Sequence, residues 1–230
     1  MRPLKLTAAT CLAALIATGG IAYASSQFKQ TSNIVLTAKK AGRPTGLKAS
    51  LNAVDPGAVQ PQGLKTLKIT LPAGTKFNFA SPSIKQCKAG DTELVATKGA
   101  ACAAKSKIGS GEALANGAPV IPAIPETATA YAGKREIIFV LVPKGPAGQV
   151  LVLHGKVSKN VVTTQVPVIS AGGLNVVITA LNLTVKTIGS ASHAFITAGR
   201  CAKGAFPVKS QFTYQTGESL TISSSSKCTG

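Results

Sequence analysis

Two histidines, His154 and His193, and seven carboxylates, Asp55, Asp91, Glu93, Glu112, Glu126, Glu136 and Glu218, are the side chains here best suited to moving a proton or holding a cation. A Ser-His-Asp triad would recruit one of the histidines, and a glycosidase would need two carboxylates that meet in the fold. Neither arrangement has a local signature. His154 sits inside an apolar run (V-L-V-L-H-G-K-V, 150–157) and His193 opens a short one, so each reads as a packed or rim histidine. A metal centre would want carboxylates or a third nitrogen close by, and the sequence sets none beside either ring. I-G-S-G-E at 108–112 has the glycines of a phosphate cradle, but no helix-forming run with a Lys-Ser/Thr pair follows. Its spacing is also wrong for a G-x-S-x-G nucleophile elbow. The expectation is a non-enzyme with no catalytic, cofactor-binding or metal-ligating residue, whose acids mostly neutralise lysines.

Sulfur chemistry is the sharper signal. Cys11 lies in an apolar leader, which leaves Cys87, Cys102, Cys201 and Cys228. An even count in an exported chain argues for two disulfides. A four-cysteine zinc site would need a C-x-x-C pair or a histidine at ligand spacing, and neither is present. Three connectivities are open. Cys87 with Cys102 and Cys201 with Cys228 is preferred because each pair closes a local loop. The first would staple a clasp that feeds the Gly-punctuated strand beginning near Ile108, and the second would pin the C-terminus.

The compartment follows from the first 24 residues. Arg2 and Lys5 precede an apolar stretch at 6–22, and Ala22-Tyr23-Ala24 is a small-x-small site, so 1–24 reads as a secretory signal peptide cut between Ala24 and Ser25. The apolar stretch is short for a membrane span of about 20 residues. No small-residue lipoprotein box precedes Cys11. The protein is expected outside the cell or in the envelope.

Charge is strongly one-sided. The net charge is +18, and removal of Arg2 and Lys5 with the leader leaves 23 basic and 7 acidic residues, net +16. Such a field attracts anionic partners in general, and outside the cell the candidates are acidic wall polymer, anionic lipid surfaces and acidic polysaccharide. The chain has no run of basic residues, no tryptophan and few aromatics on which bases could stack, which argues against specific nucleic-acid binding.

The elements that must position these residues are strands. Residues 33–38, 47–53, 64–71, 136–142, 150–157, 208–214 and 219–225 alternate or run apolar over strand lengths, with turn residues such as Asp55-Pro56-Gly57 and Thr216-Gly217 between them. Phe77 and Phe79 flank Asn78, so both rings are expected on one side, in the core. Asp91 is positioned to cap a single helical turn at 91–96. Gly109 and Gly111 suggest a bulge or a close backbone approach. Pro119, Pro122 and Pro125 predict that any strand at 120–130 is an edge strand or is broken. Residues 136–142 should be buried on both faces. Residues 161–185 hold no charge, yet the split at Ala171-Gly172-Gly173 and the β-branched content predict two strands rather than a membrane span.

The expected fold is all-β: an antiparallel β-sandwich of about a dozen short strands with a disulfide-stapled loop. The expected divisions are 1–24 as leader, 25–46 as an N-terminal strand and basic connector, and 47–230 as the sandwich, with two small subdomains splitting near 130–150 as the alternative. Several pieces, A-G-R-P-T-G-L at 41–47, L-P-A-G-T-K-F-N at 71–78, C-A-A-K-S-K-I-G-S-G-E-A at 102–113 and the Cys201 to Cys228 tail around F-T-Y-Q-T-G-E, resemble a group of exported, functionally uncharacterised β-sandwich proteins of soil actinobacteria. Members of that group typically have Cys-Pro where this chain has Cys102-Ala103. The resemblance implies a β-sandwich with paired cysteines and carries no functional residue. Three classes of function stay open: a non-catalytic envelope protein held by charge, a structural or adhesion-type module that binds protein, and a hydrolase of extracellular polymer. The charge and the leader favour the first.

Overall fold

A computed structural model describes residues 28–56, 60–146, 148–171 and 174–229; the predicted leader and its cleavage point at Ala24 and Ser25 lie outside them. The strands are β1 (Lys29–Leu36), β2 (Leu47–Val54), β3 (Leu64–Thr70), β4 (Lys76–Phe77), β5 (Lys107–Gly117), β6 (Ile121–Ala132), β7 (Glu136–Pro143), β8 (Leu151–Ser158), β9 (Val161–Gln165), β10 (Ile169–Ala171), β11 (Leu174–Val185), β12 (Ile196–Thr197), β13 (Ala205–Tyr214) and β14 (Ser219–Lys227). The helices described are short: α1 (Asp91–Ala96) and a 3₁₀ turn at Ala104–Ser106.

Twelve strands form one sheet in the order β1-β2-β11-β5-β6-β7-β8-β9-β3-β13-β14, with β10 added beside β11. The path holds an odd number of strands, each antiparallel to its neighbours, so β14 returns to β1 running in the same direction. That seam cannot continue the antiparallel ladder. Instead the Ser224 hydroxyl donates to the Ile34 carbonyl at 2.7 Å and accepts from the Ile34 N–H at 3.1 Å, and a parallel bridge joins Lys40 to Thr229. The sheet is thus nearly closed into a barrel, and the two layers of the expected sandwich are its opposing walls.

Period-2 alternation fills the inside. Ile34 and Leu36 of β1, Leu67 of β3, Ile137 and Leu141 of β7, Leu151 and Leu153 of β8 and Phe212 of β13 form one buried cluster. Residues on β7 are buried on both faces, as their unbroken apolar run predicts. Ile138 and Val140 point outward and are covered by the clasp, where Leu94, Cys87 and Cys102 pack on them and on Tyr131. Both disulfides form as preferred, Cys87–Cys102 and Cys201–Cys228.

Two expectations need correction. β6 is not an edge strand; it lies between β5 and β7 despite its prolines. Pro125 accepts from the Lys144 N–H through its carbonyl, and its missing donor faces the same side, where β7 stops at Pro143. The proline therefore sits where the ladder ends. Residues 161–185 give three strands, β9, β10 and β11, because Ile169–Ala171 doubles back on Leu174–Val176. No described helix is long and apolar enough to cross a membrane.

The glycine expectation holds in both senses. The β5–β6 register slips between Lys107 and Gly109. A Cβ on Gly111 would lie 1.9 Å from the carbonyl oxygen of Asn182 in β11. Backbone fills the space where a phosphate would have to sit, so I-G-S-G-E is a packing device.

Candidate functional site

Register assigns every turn to one end of the barrel or the other, and the two ends differ in chemistry. At one end the β1–β2 turn carries Lys39, Lys40 and Arg43, and the β3–β4 link leads into Lys76. The β6–β7 turn carries Lys134 and Arg135, the β8–β9 turn Lys159, and the segment between β11 and β13 Lys186, Arg200 and Lys203. At the other end the described links offer Lys144, which is already paired with Glu112 at 2.5 Å, and the acids Asp55 and Glu218. The Lys144 ammonium, by hydrogen bond and charge, holds the Glu112 carboxyl below its ordinary value.

The cationic end is plugged. Phe195 and Ile196 are fully buried, and β12, which Ile196 opens, pairs with β4 across the barrel mouth. Beside this plug runs a groove of about 610 Å³ lined by Thr75, Lys76, Phe77, Phe79, Arg135, Val157, Ser158 and Lys159. Phe77 and Phe79 do share one side and pack against the core, but they are only half-buried and also wall the groove. Their rings are nearly parallel, 14° apart with centroids at 6.2 Å, and both meet the buried Phe195 ring edge-on at 6.0 and 5.3 Å. Strand β4 and two separate turns deliver the three cations.

The backbone marks two of those cations. Arg135 (φ 61°) and Lys159 (φ 55°) adopt the left-handed conformation, as do Lys98 and Lys203. These four are the non-glycine positive-φ residues described, and all are basic. Hairpin turns normally give such positions to glycine or asparagine, and a larger side chain there costs on the order of 1 kcal/mol. The sequence could have signalled this through Lys159-Asn160, a two-residue turn with lysine in the position glycine suits best. Nothing in sequence spacing brings residues 76, 135 and 159 together; strand order does that.

His154 lies on the outer wall under the clasp. Its Nδ1 is 3.2 Å from Glu136 Oε2 and its Nε2 is 2.9 Å from Asp91 Oδ1. Asp91 is therefore not the helix cap; Gly90 holds that position and the carboxylate is spent on the histidine. Only a doubly protonated ring donates to both acids. With both nitrogens facing carboxylates, the ring has none left to activate a hydroxyl. His193 is exposed, with Nδ1 2.9 Å from Ser192 Oγ. Among the described residues no group of three or more histidine, cysteine or acidic side chains could hold a metal ion.

The expected neutralisation of lysines by acids is corrected by the same geometry. Asp91 and Glu136 serve His154, Glu218 accepts from Gln62 at 2.8 Å, and Glu126 is inside the barrel. Glu112 is the acid given to a lysine among the described ion pairs. The positive field is left largely uncompensated.

At the second end no described element crosses the barrel mouth. An apolar lumen cavity of about 110 Å³, lined by Leu67, Leu141, Leu153 and Phe212 among others, meets an outer pocket of about 220 Å³ through the shared residues Leu64, Val166 and Ile178. Glu126, 2% exposed, faces the interior in this half of the barrel, paired in register with Ala113 and Pro143. Its Oε2 has no hydrogen-bond partner among the described residues, and burial pushes its carboxyl up to about 7.

No protein-family model and no solved structure matches the chain. Over 158 residues it is 31% identical to the gamma-glutamyl phosphate reductase of Symbiobacterium thermophilum, a likeness covering 58% of this chain and 35% of that one. The chain thus spans about a third of that curated relative's length, which does not place it in the same family.

Proposed function

We propose that this is a non-catalytic protein of the cell envelope or its exterior, held to acidic surface polymer by the cationic end of its barrel. The observation that carries this reading is the charge of the turns: those of one end hold lysines and arginines outside the described ion pairs, while the described links of the other end offer one paired lysine and two acids. A field concentrated on one face both attracts and orients a polyanion. The leader and the two disulfides fit an oxidising, extracellular setting. His154, the one histidine set among carboxylates, is spent on tying α1 to the wall. The Gly-x-Gly run at 109–111 offers no phosphate cradle, because the β11 backbone lies against it.

The test is binding of the oxidised protein to the envelope fraction of the cells that make it. Retention at low salt and release at moderate salt is expected, because exposed charges are screened within about 8 Å at 0.15 M. Retention that ignores salt would overturn the electrostatic basis, and absence of binding at either salt would overturn the anchoring role.

A further inference from the structure

We infer that the groove between Lys76, Arg135 and Lys159 is a subsite for an acidic polysaccharide, with the cations taking the anionic groups and Phe77 and Phe79 taking the apolar face of a sugar ring. This rests on the charge-anchoring reading above and adds the chemical class of the polymer. Three observations carry it. The groove is a formed concavity, about 610 Å³, at the end where the positive charge collects. Its cations come from strand β4 and from two separate turns, so they approach a ligand from different segments rather than line one strand. Arg135 and Lys159 hold left-handed backbone that glycine or asparagine would accept at less cost, so the positions keep a basic side chain against local preference.

The phenylalanines separate a glycan from other polyanions. An aromatic ring has an electron-rich face, which attracts the polarised C–H bonds of a sugar and adds apolar contact. Inorganic polyphosphate has charge and no such face. The floor under both rings is the buried Phe195, so the platform is in place before a ligand arrives. Thr75, also lining the groove, is fixed by its hydroxyl donating to the Pro72 carbonyl at 2.8 Å, which steadies the turn that presents Lys76.

The experiment compares affinity for polygalacturonate, for polyphosphate and for oligothymidine at one ionic strength. Wild type is expected to prefer polygalacturonate. The double substitution Phe77→Ala, Phe79→Ala should lower polygalacturonate affinity about tenfold, in line with ring-stacking energies, and polyphosphate affinity less than about twofold. Because those rings also pack on Phe195, a second variant is decisive. Arg135→Asn with Lys159→Asn relieves the backbone cost, so its Tm should match or exceed wild type while affinity for polygalacturonate falls about tenfold. Unchanged affinity in that stable variant overturns the subsite. Equal losses on both polymers in the phenylalanine variant overturn the sugar platform, and preference for oligothymidine overturns the assignment to polysaccharide. Wild type that binds no polyanion at all is a different result, the failure of charge anchoring itself.

Discussion

The two ends of this barrel solve the same problem, closing a nearly circular sheet, in opposite ways. At the cationic end the segment before β13 folds back as β12, pushes Phe195 and Ile196 into the mouth, and is tied down by backbone bonds from Gly42 and Thr45 to Ala198 and Ile196. At the other end no comparable described element crosses the mouth, and the lumen continues into an outer pocket rimmed by Gln60, Asn175 and Gln215. The plugged end can present many turns at fixed positions because its interior is solid. The open end keeps a cavity and a buried acid. Charge at a rigid rim and looseness inside the opposite half are separate consequences of where one segment of chain was spent.

The comparison breaks most visibly if the open half fails to respond to pH. Glu126 titrates at about 7 instead of its ordinary 4.5 because it is buried without a partner for Oε2. Below pH 4.5 it is protonated in both the folded and the unfolded chain. As pH rises from 4.5 towards 7 the unfolded chain releases the proton and the folded one keeps it, so stability falls, by about 3 kcal/mol once pH passes 7. Chemical denaturation from pH 4 to 8 should show that decline as the difference between wild type and Glu126→Gln. Parallel pH curves for the two proteins would show that the interior acid is solvated, and with it that the open half is wet.

Next in size is an exchange of charge between ends. Neutralising Lys76, Arg135 and Lys159 to Gln, Asn and Asn should cut affinity for an anionic polysaccharide about thirtyfold, roughly 2 kcal/mol. Neutralising Lys29, Lys65 and Lys144, which lie towards the open end, removes the same net charge and should cost less than about threefold. Equal losses would mean that net charge acts without regard to position.

Most strands were legible in the sequence because strand pattern is local. The run Leu67, Ile69, Leu71 with polar residues between, and the hairpin around Thr216-Gly217, needed only neighbours to be read. The cysteine pairs followed from loop length. Strand order was not legible, because β11 inserts between β2 and β5, strands far earlier in the sequence, and local alternation says nothing about which edge a strand joins. β6 was misjudged because the proline rule concerns the hydrogen bond a residue would make, and Pro125 sits where β7 has ended. His154 reads in the sequence as a packed or rim histidine, and its two acids are not legible there because positions 91 and 136 are remote from it. The groove was hidden for the same reason, and its lone local trace was a lysine in a turn position suited to glycine.

A smaller effect tests the wall between the ends. His154→Ala removes the side-chain contacts of β8 with Asp91 of α1 and Glu136 of β7, leaving Leu94 and the disulfide to hold the clasp. A loss of about 1 kcal/mol is expected, since both partners are partly solvated. Faster amide exchange should be confined to the segment around α1, with the groove and its polymer affinity unchanged. Exchange that spreads to β12 and β4 would show the clasp bracing the plug, and the two ends would then not be independent.

The smallest expected effect is the most useful control. Val120 and Val168 are 66% and 65% exposed, and both lie in links at the open end. Serine at these positions should change stability by less than about 0.5 kcal/mol, because neither side chain has much burial to lose. Polymer affinity should not move, because the cationic groove lies at the far end of every strand that leads to them. Should affinity fall with stability intact, the polymer would have to reach the open rim as well. Recognition would then extend along the barrel, and the division of labour between a binding end and a hollow end would give way to one continuous surface.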